Sequence, residues 1–378
     1  MRFFHLSDLH IGLRLVNRDI REDQEYIFAQ IGRLAQEQHP DAIIIAGDIY
    51  NLAVPSAEAV EIFDWFLRTL TEACPEAEIM MISGNHDSAQ RVNIFRNILQ
   101  RQHIHMIGMP PMRAGERIEK VTLSDTFGKV NFYLLPFVRP SMVKEITGTD
   151  ENGNNLSYDA ALHRLIAMEE INPSERNVLV SHQFYLPEGT SPEEVERADS
   201  EIPAVGNIDR VCADALEVFD YAALGHIHKP MKVGNENFRY CGTPLACSAS
   251  EAGQQKAVLL VEMGPKGETK VTPLPLHPLR AVRKVRGSLA EVLMMPSEDF
   301  VQVTLTDKAD LDVFDLQDRI RNAFLNLLEI RRETVRKADY RRIGEAQEEM
   351  DPLELCMRFL GEQGSGEEEL LRDVINTV

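Results

Sequence analysis

The sequence contains no stretch of about 18 consecutive apolar residues, the length that a membrane-spanning helix needs. Its opening, MRFFHLSDLH, reaches charged side chains too early for the apolar core of a secretory signal. The five cysteines are scattered and form no Cys-x-x-Cys pair, so a disulfide framework and a cysteine-based zinc site are not expected. These absences predict a cytoplasmic protein with reduced thiols and no membrane contact.

Positive charge is also scarce. The 378 residues include 40 Lys and Arg against 60 Asp and Glu, a formal charge of −20. A protein that coats nucleic acid by electrostatics alone would be basic, so this balance argues against that class. The deficit is uneven, because residues 279–342 hold 13 basic and 11 acidic side chains whereas residues 343–378 hold 2 basic and 10 acidic ones. The acidic excess therefore lies in residues 1–278 and 343–378, and not in residues 279–342.

Short apolar runs alternate with helical periodicity over the first hundred residues. RFFHLS, DAIIIAGD and EIMMISG are brief, rich in β-forming residues and bounded by turn residues, as buried strands are. Apolar spacings of three and four predict helices over 21–38, 56–73 and 89–101, and another near 157–170. This alternation predicts an α/β sheet that is covered on both faces.

The proline-rich run TPLPLHPLR, at 272–280, is the best candidate for a domain boundary. We therefore predict a catalytic domain over 1–278, a small α/β cap domain over 279–342 and a helical tail over 343–378. Within the cap, the pattern predicts strands near 281–286 and 300–306 and a helix over 311–330.

The predicted strands of the first domain end in carboxylate, amide and imidazole side chains. Ligands of α/β sheets bind beyond the carboxyl ends of the strands, so these residues are expected to converge. Oxygen and nitrogen donors without a thiolate suit two divalent first-row metals. Taken singly, each residue has another interpretation, as a helix cap, a turn residue or an ordinary histidine. The Asp, Asn and His side chains at these strand ends are Asp8, His10, Asp48, Asn85, His86, Asp87, His182, His226 and His228.

The series D-x-H, G-D, G-N-H-D, H and G-H-x-H resembles the five-motif signature of the calcineurin-like metallophosphoesterases. Within that superfamily, SDLHIG, DAIIIAGDIY, GNHDSAQR, YAALGHIHK and RYCGTPL resemble the SbcD family of bacterial repair nucleases. The resemblance implies two packed mixed β-sheets flanked by helices, with a small α/β cap domain and a helical C-terminal tail. It also implies a manganese-dependent nuclease that processes DNA ends and hairpins, forms a homodimer and works with an SbcC-type ATPase.

The resemblance further implies a role for each motif residue. Two divalent cations, both Mn²⁺, are expected, and His86 would be the catalytic imidazole near the scissile phosphate. Asp8, His10 and His228 would hold the first cation, Asn85, His182 and His226 would hold the second, and Asp48 would bridge them.

Contacts to the substrate are expected on the segments that follow these motifs. Asn51 lies three residues after Asp48, where many members of the family have a histidine thought to contact the DNA phosphate. Asn51 can donate a hydrogen bond to phosphate but cannot carry a proton. Arg91 and Arg96 follow GNHD and are candidate phosphate contacts, with a solvated helix face as the alternative. The basic run at 280–286 would line the DNA path through alternate members of a strand.

Three functions are compatible with these residues. The first is a DNA nuclease in complex with an ATPase, whose coiled coil would receive the tail at 343–378; the tail could instead pack on its own domain. The second is a small-molecule or protein phosphoesterase of the same fold, such as a cyclic-nucleotide phosphodiesterase. The third is a scaffold without metals, which the complete donor set argues against. The hundred residues after 278 favour the nuclease, because a small substrate does not require them.

Overall fold

The structure, a computed structural model, describes residues 1–187, 189–190, 195, 197–201, 209–307 and 313–333. The strands, in chain order, are β1 (Arg2–Leu6), β2 (Arg14–Leu15), β3 (Arg18–Asp19), β4 (Ala42–Ala46), β5 (Glu78–Ile82), β6 (Ile104–Ile107), β7 (Glu119–Asp125), β8 (Gly128–Leu135), β9 (Arg176–His182), β10 (Phe184–Leu186), β11 (Arg210–Cys212), β12 (Tyr221–Gly225), β13 (Met231–Val233), β14 (Asn235–Tyr240), β15 (Ala257–Met263), β16 (Thr269–Pro275), β17 (Val282–Gly287), β18 (Ser297–Leu305) and β19 (Phe324–Arg332). The α-helices are α1 (Arg21–Gln38), α2 (Ala57–Ala73), α3 (Ala89–Val92), α4 (Arg96–Leu99), α5 (Pro140–Thr147), α6 (Tyr158–Ala167), α7 (Leu289–Leu293) and α8 (Val313–Ala323).

Two six-stranded mixed sheets form the centre of the first 275 residues. The first has the order β16-β15-β1-β4-β5-β6 and the second β13-β14-β12-β9-β8-β7. The strands from β1 to β6 in the first sheet run parallel, as do β14, β12, β9 and β8 in the second. The predicted pair of mixed sheets is therefore confirmed, and the parallel strands of each sheet share one carboxyl edge.

Strand β4 shows why these segments read as continuous apolar runs. Its sequence AIIIA is wholly buried. Ala42, Ile44 and Ala46 face the second sheet, whereas Ile43 and Ile45 pack against the cluster that includes the apolar sides of α1 and α2. Because both faces of the strand are covered, hydrophobic residues do not alternate with polar ones. A matching cluster under α5 and α6 covers the outer face of the second sheet, which gives four layers in all.

Helices α1 and α2 form where the sequence predicts them. Helix α1 has the predicted bounds, and α2 begins after Ser56, whose hydroxyl accepts a hydrogen bond from the backbone N–H of Ala59. The continuous helix predicted over 89–101 is wrong. Phe95 has a left-handed backbone, with φ of 63°, and separates α3 from α4.

The cap contains a three-stranded parallel sheet with the order β17-β18-β19. The helix predicted over 311–330 is wrong, because α8 ends at Ala323 and the chain enters β19 at Phe324. Phe324 and Leu327 of β19 pack with Ile320 of α8 in one buried cluster. The apolar spacing that fits one long helix therefore arises here from a helix followed by a strand. The domain limit at 278 stays a prediction, and the tail predicted over 343–378 lies outside the described residues.

The cap contacts the layers of the first 275 residues through a small apolar cluster and an ion pair. Leu15 and Ile20 pack with Val282 and Phe300. Beside them, the Arg280 guanidinium donates to both carboxylate oxygens of Asp23 and to Glu22, at 2.6–3.0 Å.

None of the helices among the described residues has the length and apolar content that crossing a membrane requires.

Candidate metal centre

Four of the predicted donor residues have a positive φ, a backbone conformation that residues other than glycine seldom adopt. Asp8, His10, Asp48 and His226 have φ of 53°, 43°, 49° and 100°. Main-chain hydrogen bonds hold the first strand end in place, since the N–H of Asp8 donates to Gly47 at 2.9 Å and that of His10 to Asp48 at 3.0 Å. Such conformations persist where surrounding structure determines them, and they cluster at functional sites.

The side chains at these strand ends converge around Asp48. Its Oδ2 lies 3.3 Å from Nε2 of His182 and 3.7 Å from Nε2 of His10. The Oδ1 of Asn85 lies 3.1 Å from Nε2 of His182 and 3.0 Å from Nδ1 of His226. One carboxylate oxygen therefore lies between histidines that come from different sheets.

The remaining two predicted donors join the group from the side of β1. The Nε2 atoms of His10 and His228 are 3.1 Å apart. The carboxylate of Asp8 accepts from the backbone N–H of His226 and lies with Asp48 and His182 in a group whose donor atoms are within 4.8 Å of one another. The structure thus brings all seven predicted donor residues together at one edge of the two sheets.

The donor set fits divalent cations. Oxygen and imidazole nitrogen atoms bind such ions at about 2.0–2.2 Å, so neighbouring donors of one coordination shell are about 3 Å apart. The separations of 3.0–3.3 Å among Asp48, Asn85 and the histidines have this value. Nδ1 of His10 is buried and has no hydrogen-bond partner within the described chain.

Two histidines are oriented through their second ring nitrogen. Nδ1 of His182 lies 2.8 Å from the carbonyl oxygen of Ala46, and Nδ1 of His228 lies 3.0 Å from the hydroxyl of Ser200 and 3.4 Å from Glu251. These contacts direct Nε2 of both rings into the centre, as second contacts of metal-binding histidines do.

The sequence did not predict that a buried glutamate, Glu251, contacts His228. Glu251 is 1% exposed and pairs with the Lys256 ammonium at 2.6 Å. Burial raises the pKa of Glu251, but the His228 and Lys256 contacts outweigh it and place the pKa at about 2. These residues lie in an irregular stretch after β14, where neither periodicity nor a motif singles them out.

Asp87, the last residue of GNHD, joins two strand ends. Its carboxylate accepts hydrogen bonds from the backbone N–H groups of Ile49, Tyr50 and Gly84 at 2.9–3.0 Å. Burial, reinforced by the charge of Asp48, raises the pKa of Asp87 to about 6. The residue thus fixes the loop that presents Asn85 and His86.

The position of His86 differs from that of the seven donors. Its backbone N–H donates to Oδ1 of Asp48 at 2.9 Å, and its ring lies edge-on to the ring of His10, with centroids 4.9 Å apart. Its Nδ1 lies 3.1 Å from the carbonyl oxygen of Asn51. Asn51 therefore contacts the predicted catalytic imidazole through the main chain. Among the described residues, no hydrogen bond is formed by Nε2 of His86, which can therefore bind other partners.

The carboxylates and imidazoles of the centre shift one another's ionisation. Burial opposes ionisation of Asp48, yet the charge of His182 and its hydrogen bond to Asp48 outweigh burial and hold the pKa of Asp48 well below the ordinary value. For Asp8, burial dominates and raises the pKa. Burial lowers the pKa of His10 to about 3, so its ring is neutral and can offer a lone pair to a cation.

The candidate phosphate contacts are less well placed. Arg96 pairs with Glu119 at 2.7 Å, and Arg91 is exposed. Arg280 is engaged by Glu22 and Asp23. The contacts of Asn51, Arg91 and Arg96 with substrate stay predictions.

Comparison with known proteins places the chain in a family. Residues 1–230 match the calcineurin-like phosphoesterase family. The chain belongs to this family. Residues 275–363 match the type 5 capsule protein repressor C-terminal domain, SbcD_C. Both the resemblance seen in the motifs and the expectation of a metal-dependent phosphoesterase are therefore confirmed.

The chain is also similar to individual proteins. The chain is 27% identical over 296 residues to the SbcD subunit of the nuclease SbcCD from Staphylococcus epidermidis, covering 78% of this chain and 74% of the relative. Among solved structures, it is similar to TT1561 of Thermus thermophilus, with 13% identity, a TM-score of 0.39 and coverage of 71% of this chain and 98% of that one. A dimetal phosphatase from Danio rerio gives 12% identity, a TM-score of 0.40 and coverage of 75% and 99%.

Proposed function

We propose that this calcineurin-like phosphoesterase is a manganese-dependent DNA nuclease, the nuclease subunit of a complex with an SbcC-type ATPase. The observation that carries the proposal is the convergence of seven residues with oxygen and nitrogen donors, Asp48 at their centre and His86 directly beside them. The relative from Staphylococcus epidermidis is a nuclease subunit and supports a nucleic acid as the substrate.

The ligand assignment is the one that the family resemblance implies, and the contacts of His10 with His228 and of Asn85 with His182 and His226 support it. Two divalent cations held there would bind phosphate oxygens and lower the pKa of a bound water. Mn²⁺ is proposed because carboxylate, amide and imidazole donors together suit it. Asp8, His10 and His228 are proposed for one cation, Asn85, His182 and His226 for the other, and Asp48 for both.

His86 is proposed to act on the scissile phosphodiester without binding a cation. With Nδ1–H donated to the carbonyl oxygen of Asn51, its Nε2 can point toward the reacting phosphate. When protonated, Nε2–H would stabilise the charge that develops on the phosphate and pass its proton to the leaving 3′ oxygen. The backbone bond from His86 to Asp48 fixes the ring relative to the donor group.

The proposed partners are double-stranded DNA ends, hairpins and single strands, the ATPase and a second copy of this chain. Ile94, Phe95 and Ile98 are 51%, 69% and 64% exposed on the segment that follows GNHD. Exposed apolar side chains so grouped are typical of a protein interface, which supports a homodimer. The ATPase contact is proposed for the tail at 343–378.

The nuclease proposal is tested with linear and hairpin-ended DNA in the presence of Mn²⁺. His86→Ala is expected to lower the rate of nucleotide release by about a hundredfold or more, because general acid catalysis contributes at least that much. His277→Ala, which changes an exposed histidine near the domain boundary, is the matched control and should cleave normally. Equal activity of wild type and His86→Ala, or hydrolysis of cyclic nucleotides with no cleavage of DNA, would refute the proposal.

The partner proposal is tested separately by removing residues 351–378. The shortened chain is expected to lose co-purification with the SbcC-type ATPase while it still cleaves DNA with Mn²⁺. Undiminished co-purification would show that the ATPase binds elsewhere on the chain.

A further inference from the structure

A cysteine lies beside the proposed first cation position. Cys247 is 8% exposed, and its Sγ lies within 4.8 Å of a ring nitrogen of His10 and of one of His228. The two histidines follow the ends of β1 and β12, and Cys247 follows β14. The sequence pattern gave no indication of this group, because its members are far apart in the chain and Cys247 has no second cysteine at ligand spacing.

The two histidines face each other in a way that suits a shared cation. Their Nε2 atoms, 3.1 Å apart, have room for at most one proton between them. His228 is oriented by Glu251, and the same carboxylate oxygen of Glu251 accepts the backbone N–H of Cys247 at 3.1 Å. One buried carboxylate therefore positions both the imidazole and the cysteine.

We propose that Cys247 supplies a sulfur donor to a site that it forms with His10 and His228, and that this site binds Zn²⁺, Cd²⁺ or Co²⁺. The inference rests on the proposed function, because it needs His10 and His228 to face a cation. Thiolate and imidazole donors select borderline and soft cations, whereas Mn²⁺ prefers oxygen. The site therefore discriminates between metals at the position where the nuclease is proposed to hold Mn²⁺.

The geometry requires little movement. Zinc–sulfur bonds of about 2.3 Å and zinc–nitrogen bonds of about 2.0 Å place neighbouring tetrahedral donors about 3.5 Å apart. The donor atoms lie within 4.8 Å of one another, so an approach of at most about 1.3 Å brings them to that spacing. On binding, the S–H bond breaks, the sulfur–metal bond forms and one proton leaves to solvent.

The site has a functional consequence for metal competition. Zn²⁺ held by Cys247, His10 and His228 would occupy two residues that are proposed as Mn²⁺ ligands. Zn²⁺ is therefore expected to inhibit the Mn²⁺-dependent reaction, and Cys247→Ser is expected to weaken Zn²⁺ binding about tenfold or more while Mn²⁺ affinity stays unchanged. Both affinities are measured by calorimetry on the full chain, without reference to activity.

The direct test is spectroscopic and uses Co²⁺ added to the metal-free full chain. Wild type is expected to show visible ligand-field bands together with near-ultraviolet sulfur-to-cobalt charge transfer. Cys247→Ser and Cys247→Ala should both keep the visible bands and lose the charge-transfer band. Cys74→Ser is the matched control, because Cys74 is also buried but its thiol contacts Ala35 of α1. This variant should keep both the visible bands and the charge-transfer band.

The outcomes separate this inference from the proposed function. Visible bands in wild type without charge transfer, or charge transfer that survives both substitutions at Cys247, would overturn the sulfur site and leave the proposed metal centre intact. A chain that binds neither Co²⁺ nor Mn²⁺ would overturn both. Circular dichroism checks that each variant is folded, so that a lost charge-transfer band can be attributed to the missing sulfur.

Discussion

Gly47 allows the two sheets to approach closely at the candidate metal centre, because it has no side chain. It precedes Asp48 with φ of 90°, and a Cβ built at this position would overlap Nδ1 of His182. Gly267 has the same φ, but nothing lies within 4 Å of a Cβ there. Replacing either glycine therefore costs the same strain of a left-handed backbone. Only the replacement of Gly47 also creates a contact with His182.

We expect Gly47→Ala to lower the free energy of unfolding by about 1–3 kcal/mol more than Gly267→Ala, because overpacking adds to a shared backbone cost. Since His182 must move, Mn²⁺ affinity should fall in Gly47→Ala and not in Gly267→Ala. Urea unfolding and calorimetry measure the two quantities. Equal effects of both substitutions would show that the backbone conformation, and not the contact with His182, explains the glycine.

Individual site residues were predictable where strand ends and motifs coincide. Asp8, Asp48 and His182 lie at the ends of buried strands, and parallel strands of a sheet place such ends at one edge. Cys247 and Glu251 were not predictable, because they approach His228 through an irregular segment without periodicity. Their positions depend on tertiary packing, which the local sequence does not encode.

At the scale of elements, pairing with a neighbouring strand separates the correct helix prediction from the wrong one. Helix α1 spans 18 residues and buries Ile27, Phe28 and Ile31 on one side. The segment 313–332 also has apolar spacings that fit a helix, but its second half pairs with β18 as β19. Short apolar runs fit either a helix or a strand, so pairing with a neighbour decides between them.

A contact between α6 and the segment that follows β11 gives an element-scale pH dependence. Nε2 of His163 lies 2.8 Å from Asp214, and its Nδ1 lies 2.9 Å from the carbonyl oxygen of Asp159. Burial lowers the pKa of His163, but the hydrogen bonds to Asp159 and Asp214 outweigh it and raise the pKa above the ordinary value. The charged form is therefore favoured by folding.

Because the folded pKa of His163 is raised, its stabilisation is complete below the ordinary pKa and is lost as the pH rises through the folded value. His163→Gln is expected to lower the free energy of unfolding more at about pH 5.5 than at about pH 9. Asp214→Asn should show the same trend, since it removes the partner. Denaturant unfolding at the two pH values measures it, and an effect of His163→Gln that does not change with pH would contradict the assignment.

At the scale of the whole molecule, the joint between the cap and the catalytic layers combines a buried charge with a small apolar contact. The carboxylate of Asp23 is fully buried and is bound by Arg280, while Leu15 packs with Val282 and Phe300. Asp23 lies on α1, which packs on the first sheet, so the ion pair connects the cap to the layer that carries Asp8 and Asp48. We therefore expect this joint to set the position of the cap relative to the candidate metal centre.

Removal of Arg280 should therefore affect large substrates more than small ones. Arg280→Ala leaves a buried carboxylate without its partner, which costs about 3 kcal/mol and loosens the cap. We expect slower cleavage of duplex DNA but an unchanged rate on a small chromogenic phosphodiester, which needs only the metal centre. Arg68→Ala is the matched control, because Arg68 forms an exposed pair with Asp64 on α2.

A double variant, Asp23→Asn with Arg280→Ala, separates stability from positioning. It removes the unpaired buried charge and should recover most of the lost free energy of unfolding, while duplex cleavage stays slow because the cap is still not held. Recovery of duplex cleavage together with stability would show that Arg280 acts only on folding. Duplex cleavage at the wild-type rate in Arg280→Ala would show that the position of the cap does not depend on this pair.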